Sequence, residues 1–433
     1  MKKSVWTDTV SLPEFPTLNK DVKTDVLIIG GGLAGILCAH QLEKDGIDYI
    51  LVEGDKIASG ITKNTTAKIT SQHGIIYSNL IDSFGKEKAR MYLDINELSL
   101  SRYRELCKDI ECDFEEKDAY TYSLSDRAKI EKEVNSLNSL GYNAEFTEKT
   151  QLPFNISGAV KFSHQAQFHP LKFIAEITKG LSIYENTFVR ELREDYAITL
   201  RGKIYAKKVI VATHFPFINK HGSYFLKLYQ DRSYVSAYKS GATLEGMYVD
   251  EDKKGMSLRS YDDLLLIGGG GHRTGKKGEA WRGIHDFVSK YYPDAELQYE
   301  WATQDCITLD SLPYIGNYSK TTPNIYVATG FNKWGMTSSM SASIILSDMV
   351  QDKKNEYAEI FSPSRSILTK QLIVNGFEAV TNLITPSKKR CPHLGCALKW
   401  NDAEHTWDCP CHGSRFDENG HLIDNPATEN KIL

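Results

Sequence analysis

The main body of the chain opens on an unbroken apolar run, Val26-Leu27-Ile28-Ile29. A run of this kind fills a parallel strand buried on both faces. Helical periodicity takes over from Leu33 to Lys44 and is closed by Asp45-Gly46. A second apolar run follows, Tyr49-Ile50-Leu51-Val52. Farther on, the pattern predicts polar-faced helices over 85–110 and 126–140, a helix over 171–180, and strands near 181–185, 196–200 and 205–212. Strand-like runs such as Ser233 to Tyr238 and Asp263 to Gly268 predict an antiparallel sheet within 225–305. Leu368, Leu372, Ile373, Phe377, Val380 and Leu383 recur at the spacing of one apolar helix face over 367–383. Residues 1–21 read as an extended lead-in.

Composition narrows the class. The chain has 433 residues, enough for two or three domains. Its apolar share of 41% is ordinary for a globular protein. A net charge of −4 gives no footprint for nucleic acid. No apolar run reaches the length of a transmembrane segment; the longest, 26–39, is interrupted by glycines. The N-terminus lacks an apolar leader, so a cytoplasmic location is expected.

Two segments carry chemistry. The first is Gly30-Gly31-Gly32-Leu33-Ala34-Gly35, which places glycines at Gly30, Gly32 and Gly35 across the turn from the first strand into the first helix. Such a turn lets the backbone approach a pyrophosphate at a helix N-terminus. Glu53, ending the second strand, is suited to ribose hydroxyls. The second segment pairs Cys391-Pro392-His393-Leu394-Gly395-Cys396 with Cys409-Pro410-Cys411-His412-Gly413-Ser414. Cys391, His393, Cys409 and His412 suit a [2Fe–2S] cluster with two Cys on one iron and two His on the other. By donor type alone the same set suits zinc.

Taken whole, the two Cys/His runs resemble the Rieske iron–sulfur domain. The resemblance implies that Cys396 and Cys411 form a disulfide tying the loops together, and that Ser414 hydrogen-bonds a cluster sulfide. Phe416 stands where quinol-oxidising respiratory complexes carry a Tyr, which implies a lower reduction potential. The matching stretch covers about 45 residues, and the helical stretch before it leaves no room for the strands that normally precede the first ligand loop. Of the remaining cysteines, Cys38, Cys107, Cys112 and Cys306 read as reduced, mostly buried thiols.

The front of the chain resembles the FAD-dependent amino-acid oxidase superfamily, of the glycine, sarcosine and glutamylputrescine oxidase types, over roughly 22–350. Ala58-Ser59-Gly60-Ile61-Thr62 and Thr65-Thr66-Ala67-Lys68-Ile69 match its flavin loop. Thr187-Phe188-Val189 matches the adenine contact, and Val209-Ile210-Val211-Ala212-Thr213 the strand returning under the cofactor. Asp310-Ser311-Leu312-Pro313-Tyr314-Ile315-Gly316 matches a loop beside the flavin. Ile325 to Gly330 leads through Gly335, Met336 and Thr337 into a helix ending near Val350, whose N-terminus would face the flavin pyrimidine ring.

The resemblance implies an α/β fold: a Rossmann-like FAD-binding domain, an α+β substrate domain with an antiparallel sheet, and a small C-terminal Rieske-like module. The expected boundaries are 1–355 for the oxidoreductase, with FAD-binding parts 22–80, 155–215 and 305–355 and substrate parts 81–154 and 216–304. A linker with one helix (356–388) and the module (389–433) follow. FAD contacts are expected at Gly30, Gly32, Gly35, Glu53, Thr62, Val189, Gly330, Gly335, Met336 and Thr337. Lys68 is the candidate catalytic residue, near flavin N5, with a pyrophosphate or surface contact as the alternative. His73 reads as a turn residue, with lining of the flavin ring as the alternative, and His169 as structural. Trp334 and Tyr234 read as packing residues, with a substrate-pocket wall as the alternative. Arg259, Arg273 and Arg282 read as solvated surface residues, with a substrate carboxylate as the alternative partner.

The expected activity is oxidation of a small molecule, an amine or amino acid, with electrons leaving through the cluster to an external acceptor. Two alternatives stand beside it. One is an oxygen-using oxidase whose C-terminal site is vestigial or holds zinc; the other is a non-catalytic electron-transfer module.

Overall fold

A computed structural model of the chain describes residues 3–252 and 255–430. The chain ends, to which the expected boundaries 1 and 433 extend, lie outside the described residues. Among the described residues an eight-stranded sheet has Val22–Ile29 at its centre. Lys203–Val211 and Tyr49–Val52 flank it in parallel, with Ile29 opposite both Val211 and Val52. Ile325–Thr329 adds a further parallel strand. The reason for the apolar runs is visible in the packing. Ile28 and Leu51 enter one core with Leu37, Leu42, Ile345 and Leu346 of the helices Leu33–Lys44 and Gly335–Val350. Leu27, Ile29, Val209, Val211 and Val327 enter a separate core on the other face.

A nine-stranded sheet forms the second layer, in the order Glu296–Thr308, Leu228–Lys239, Leu264–Arg273, Ser257–Tyr261, Gly246–Asp250, Glu115–Ser123, Gly158–Gln167, Lys68–Ile69, with Glu145–Thr147 pairing at the side. Lys68–Ile69 and Gly158–Gln167, placed by sequence in the FAD-binding part, join this sheet. Lys68–Ile69 pairs with Ala166 and Gln167 at the end of Gly158–Gln167. The lead-in is not merely extended. It folds into a short 3-10 helix, Val5–Asp8, with Trp6 wholly buried and its Nε1 donating to the Thr65 carbonyl at 2.8 Å.

The C-terminal module is a four-stranded antiparallel sheet, Lys399–Asn401, Thr406–Asp408, Arg415–Phe416 and Leu422–Asp424. A helix, Lys370–Ile384, precedes it where the periodicity predicts one, but its apolar face is turned outward. No helix among the described residues is long and apolar enough to cross a membrane.

Candidate functional site

The three structural units meet at one cleft of about 2510 Å³. The glycine turn forms one wall. A Cβ on Gly30 would lie 2.5 Å from the Ala212 carbonyl oxygen, and one on Gly35 would lie 1.9 Å from the Gly30 oxygen. Only glycine permits this three-way approach of strand, turn and helix. Gly32 caps the Leu33–Lys44 helix without a side-chain cap, while Thr62 Oγ1 accepts from the Leu33 N–H at 3.1 Å. Glu53 faces the cleft, and its two oxygens accept from the Gly31 N–H at 2.7 Å and the Asp55 N–H at 2.9 Å.

Gly30, Gly32, Glu53, Thr62, Lys68, Val189, Gly330, Gly335 and Met336 all line this cleft. Gly35 and Thr337 lie behind its wall. Thr337 Oγ1 is 2.9 Å from His73 Nε2 and donates to the Thr70 carbonyl at 3.1 Å. His73 is thereby a structural residue, as expected. It also contacts the Tyr92 hydroxyl and stacks on Trp334, and burial holds its pKa down at about 3. His169 caps the Pro170–Ile177 helix. Trp334 and Tyr234, expected as packing residues, line the cleft. The N-terminus of the Gly335–Val350 helix opens there with no side-chain cap. Asn332 and Lys333 reach it in left-handed conformation (φ 51° and 72°), a strained approach of the kind that clusters at functional sites.

Lys68 is enclosed by protein on all but its cleft side. Its Nζ hydrogen-bonds Ser257 Oγ. Burial, and then the Arg259 charge, lower its pKa to about 7. Arg259 corrects an expectation. It is wholly buried rather than solvated, stacked on Trp6 and Tyr261, with Nε and Nη2 unpartnered by hydrogen bonds. Arg282 is exposed, as expected.

The second donor set lies where the C-terminal module meets the nine-stranded sheet. Cys391 and Cys409 thiols hydrogen-bond each other, and Ser414 hydrogen-bonds Cys391. Cys396 and Cys411 are joined in a disulfide. Cys409 lies beside that disulfide, but sulfurs bonded to each other are no thiolate donors, so of these four cysteines the free thiols are Cys391 and Cys409. Nδ1 of His393 and Nδ1 of His412 are buried without any hydrogen-bond partner. Each ring is held by its other side: His393 Nε2 contacts Asn219 Oδ1 at 2.9 Å, and His412 hydrogen-bonds the Phe225 backbone. This is the orientation in which Nδ1 ligates and Nε2 is fixed by an outer partner.

The support that the shortened module lacks is supplied by the nine-stranded sheet. Gln230 Nε2 donates to the carbonyls of His412 (2.8 Å) and Asn425 (2.9 Å). Gln304 Nε2 donates to the Gly413 carbonyl at 2.8 Å. Arg273, expected at the surface, instead donates to the carbonyls of Pro410 (3.0 Å) and Cys411 (3.1 Å). Arg232 pairs with Glu404, which also pairs with Arg415. Asn219, Gln230, Arg232, Gln304, Glu404 and Ser257 were missed by sequence reasoning. The only local signal was period two: Gln230 and Arg232 share one strand face, with Gln304 directly opposite Arg232.

Comparison with known proteins matches two families to the chain. The FAD dependent oxidoreductase family (DAO) matches residues 25–349, and the Rieske [2Fe-2S] domain matches 363–432. The latter reaches back over the Lys370–Ile384 helix. The putative Rieske 2Fe-2S iron-sulfur protein YhfW of Bacillus subtilis (strain 168) is 35% identical over 98% of this chain and 96% of that relative. Among solved structures, L-proline dehydrogenase from P. horikoshii (TM-score 0.67, 17% identity, 81% of this chain and 98% of that one) shares the fold. So does glycine oxidase from Geobacillus kaustophilus (TM-score 0.67, 19% identity, 80% and 99%). The chain is an FAD-dependent oxidoreductase with an iron–sulfur domain at its C-terminal side. It belongs to the FAD dependent oxidoreductase (DAO) family and carries a Rieske domain. The glycine turn and uncapped helix ends fit FAD, and the two thiols with two orphaned Nδ1 atoms fit a [2Fe–2S] cluster.

Proposed function

We propose that the protein oxidises a small amine or amino acid and passes the electrons through its cluster to an external acceptor, in the cytoplasm. FAD supplies the two-electron oxidant when bound. The observation that carries the reading is the docking of both cluster histidines on one segment of the flavoprotein. That segment starts at Ala212 and Thr213 in the cleft wall and reaches Asn219 and Phe225 at the imidazoles. Asn425 of the module donates to the Thr213 carbonyl at 2.5 Å and to the Phe215 carbonyl at 3.1 Å. The histidine edge is thus turned toward the cofactor strand. An amino-group substrate is supported by the fold neighbours, which are named for proline and glycine. Lys68 is the proposed catalytic residue: with a pKa of about 7, its Nζ is able to take or give a proton at neutral pH on the cleft side. Glycine-turn and helix-end residues hold the cofactor in this reading.

The test is anaerobic mixing of the purified holoprotein with a panel of amines and amino acids, following flavin and cluster absorbance. One substrate is expected to bleach the flavin and then the cluster. Cys409→Ser should keep the first phase and lose the second. A cluster that stays oxidised while the flavin is fully reduced would refute the transfer.

A further inference from the structure

We propose that the Lys370–Ile384 helix lies flat on an anionic lipid surface. The helix is inverted relative to an ordinary surface helix. Its inward stripe is polar: Gln371, Asn375, Glu378 and Asn382, spaced four, three and four apart. Asn375 and Asn382 are buried. Asn375 Oδ1 accepts from Arg273 Nη1 at 2.8 Å, Glu378 pairs with Lys276 at 2.7 Å, and the Asn382 carbonyl accepts from the Ala397 N–H at 3.0 Å. The outward stripe has the same spacing and is apolar: Ile373, Phe377, Val380 and Ile384, exposed by 75%, 70%, 58% and 74%. Leu368 extends it at one end. A continuous stripe of this size marks an interaction surface rather than scattered surface apolars.

Charge selects the occupant. Between Ile360 and Asn401 the sequence holds six Lys/Arg, of which Arg365 is paired inward with Asp310, and a single acid, Glu378. That acid is turned inward and paired. Lys370 and Lys388 are exposed at the two ends of the helix. The rest of the chain is acidic enough to leave a net charge of −4. An apolar stripe with cations at its ends matches an anionic bilayer surface. A symmetric contact between two copies would instead bring like charges together. The helix has 15 residues, about 22 Å, too short to cross a hydrocarbon core of about 30 Å, so it lies in the plane.

The helix is coupled to the cluster loop. Arg390 Nη1 bridges the Leu383 carbonyl (3.0 Å) and the Gly395 carbonyl (2.8 Å). Leu394, between the ligand His393 and Gly395, is 40% exposed. Membrane seating would therefore bring the Cys391–Cys396 loop toward the lipid.

The proposal uses no step of the reaction above, so flotation tests it separately from electron transfer. Holoprotein is mixed with phosphatidylcholine vesicles, with and without phosphatidylglycerol, and floated on a density gradient. It is expected to rise with the anionic vesicles, and less so at about 0.5 M NaCl. Phe377→Glu should lower binding by at least about tenfold, with flavin and cluster absorbance intact. Lys370→Glu with Lys388→Glu should lower binding to anionic vesicles in the same way. Absence of flotation, or a Phe377→Glu protein that floats like the wild type, would overturn the assignment. So would a dimer in light scattering that Phe377→Glu dissociates, since that gives the stripe to a second copy.

Discussion

Gly413 gives the sharpest test of how the module is seated. It has φ +88°, and a Cβ built there would lie 2.6 Å from Gln230 Cβ and 2.8 Å from both Cγ and Cδ. Gly413→Ala therefore imposes two separable costs. A left-handed alanine costs about 1–2 kcal/mol in the native loop, relieved when the loop opens and independent of Gln230. The overlap also drives the Gln230 side chain off the carbonyls of His412 and Asn425, and two lost hydrogen bonds add about 2 kcal/mol. A total near 3 kcal/mol raises the opening equilibrium of the module about a hundredfold. In a Gln230→Gly background all three contacting atoms are already gone, so only the backbone cost remains, about tenfold. Native-state hydrogen exchange over 406–416 in the holoprotein reads these opening equilibria directly. The double-mutant cycle isolates the contact. If Gly413→Ala accelerates exchange equally in both backgrounds, the module does not rest on Gln230, and the docking described above is wrong.

Three further outcomes follow from the site. Lys68 in the folded chain releases its proton near pH 7, whereas an unfolded lysine holds it to about 10.4. Between these values the unfolded state binds more protons, so stability rises with pH in that window. The pH–rate profile should carry an inflection near 7 that vanishes in Lys68→Met and moves alkaline in Arg259→Met; an unchanged profile in Lys68→Met would remove the residue from the chemistry. Phe416 is wholly buried in the module core, and Phe416→Tyr should raise the cluster potential in a redox titration by adding a donor; an unaltered or lowered potential counts against the assignment. Cys396→Ser opens a disulfide that closes 15 residues, worth about 3 kcal/mol by loop entropy, so cluster absorbance should decay markedly faster in denaturant, and equal decay would mean the loops are held by docking alone.

What the sequence made legible was local. The glycine turn, Glu53 and the following strand could be read because one short segment contains strand, turn and helix signals together. The two Cys/His runs were legible for the same reason: the candidate ligands sit a few residues apart within each loop. Lys68 could be singled out, but Ser257 and Arg259, which enclose it, lie far along the chain and are delivered by the nine-stranded sheet. Their role depends on register, which no single segment encodes. Trp6 was hidden likewise, since its partner Thr65 is reached only after folding.

The misread Arg273 and the inverted helix have one cause. A charged side chain is most often solvated, and an apolar stripe most often faces a core; both defaults fail where a polar surface must receive a second unit. Arg273 is the pivot. It grips the carbonyls of Pro410 and Cys411 and also Asn375 Oδ1, so the polar stripe of the helix must turn inward to meet it. Seating through hydrogen bonds to the carbonyls of the cluster loop fixes direction as well as contact, because a carbonyl accepts only near its own plane. Apolar burial has no such directionality. The electron transfer proposed above would need a fixed orientation, and Gln230, Gln304 and Arg273 specify one at three successive parts of the Pro410–Gly413 stretch. The apolar residues of the helix, excluded from that interface by its chemistry, are left on the outside.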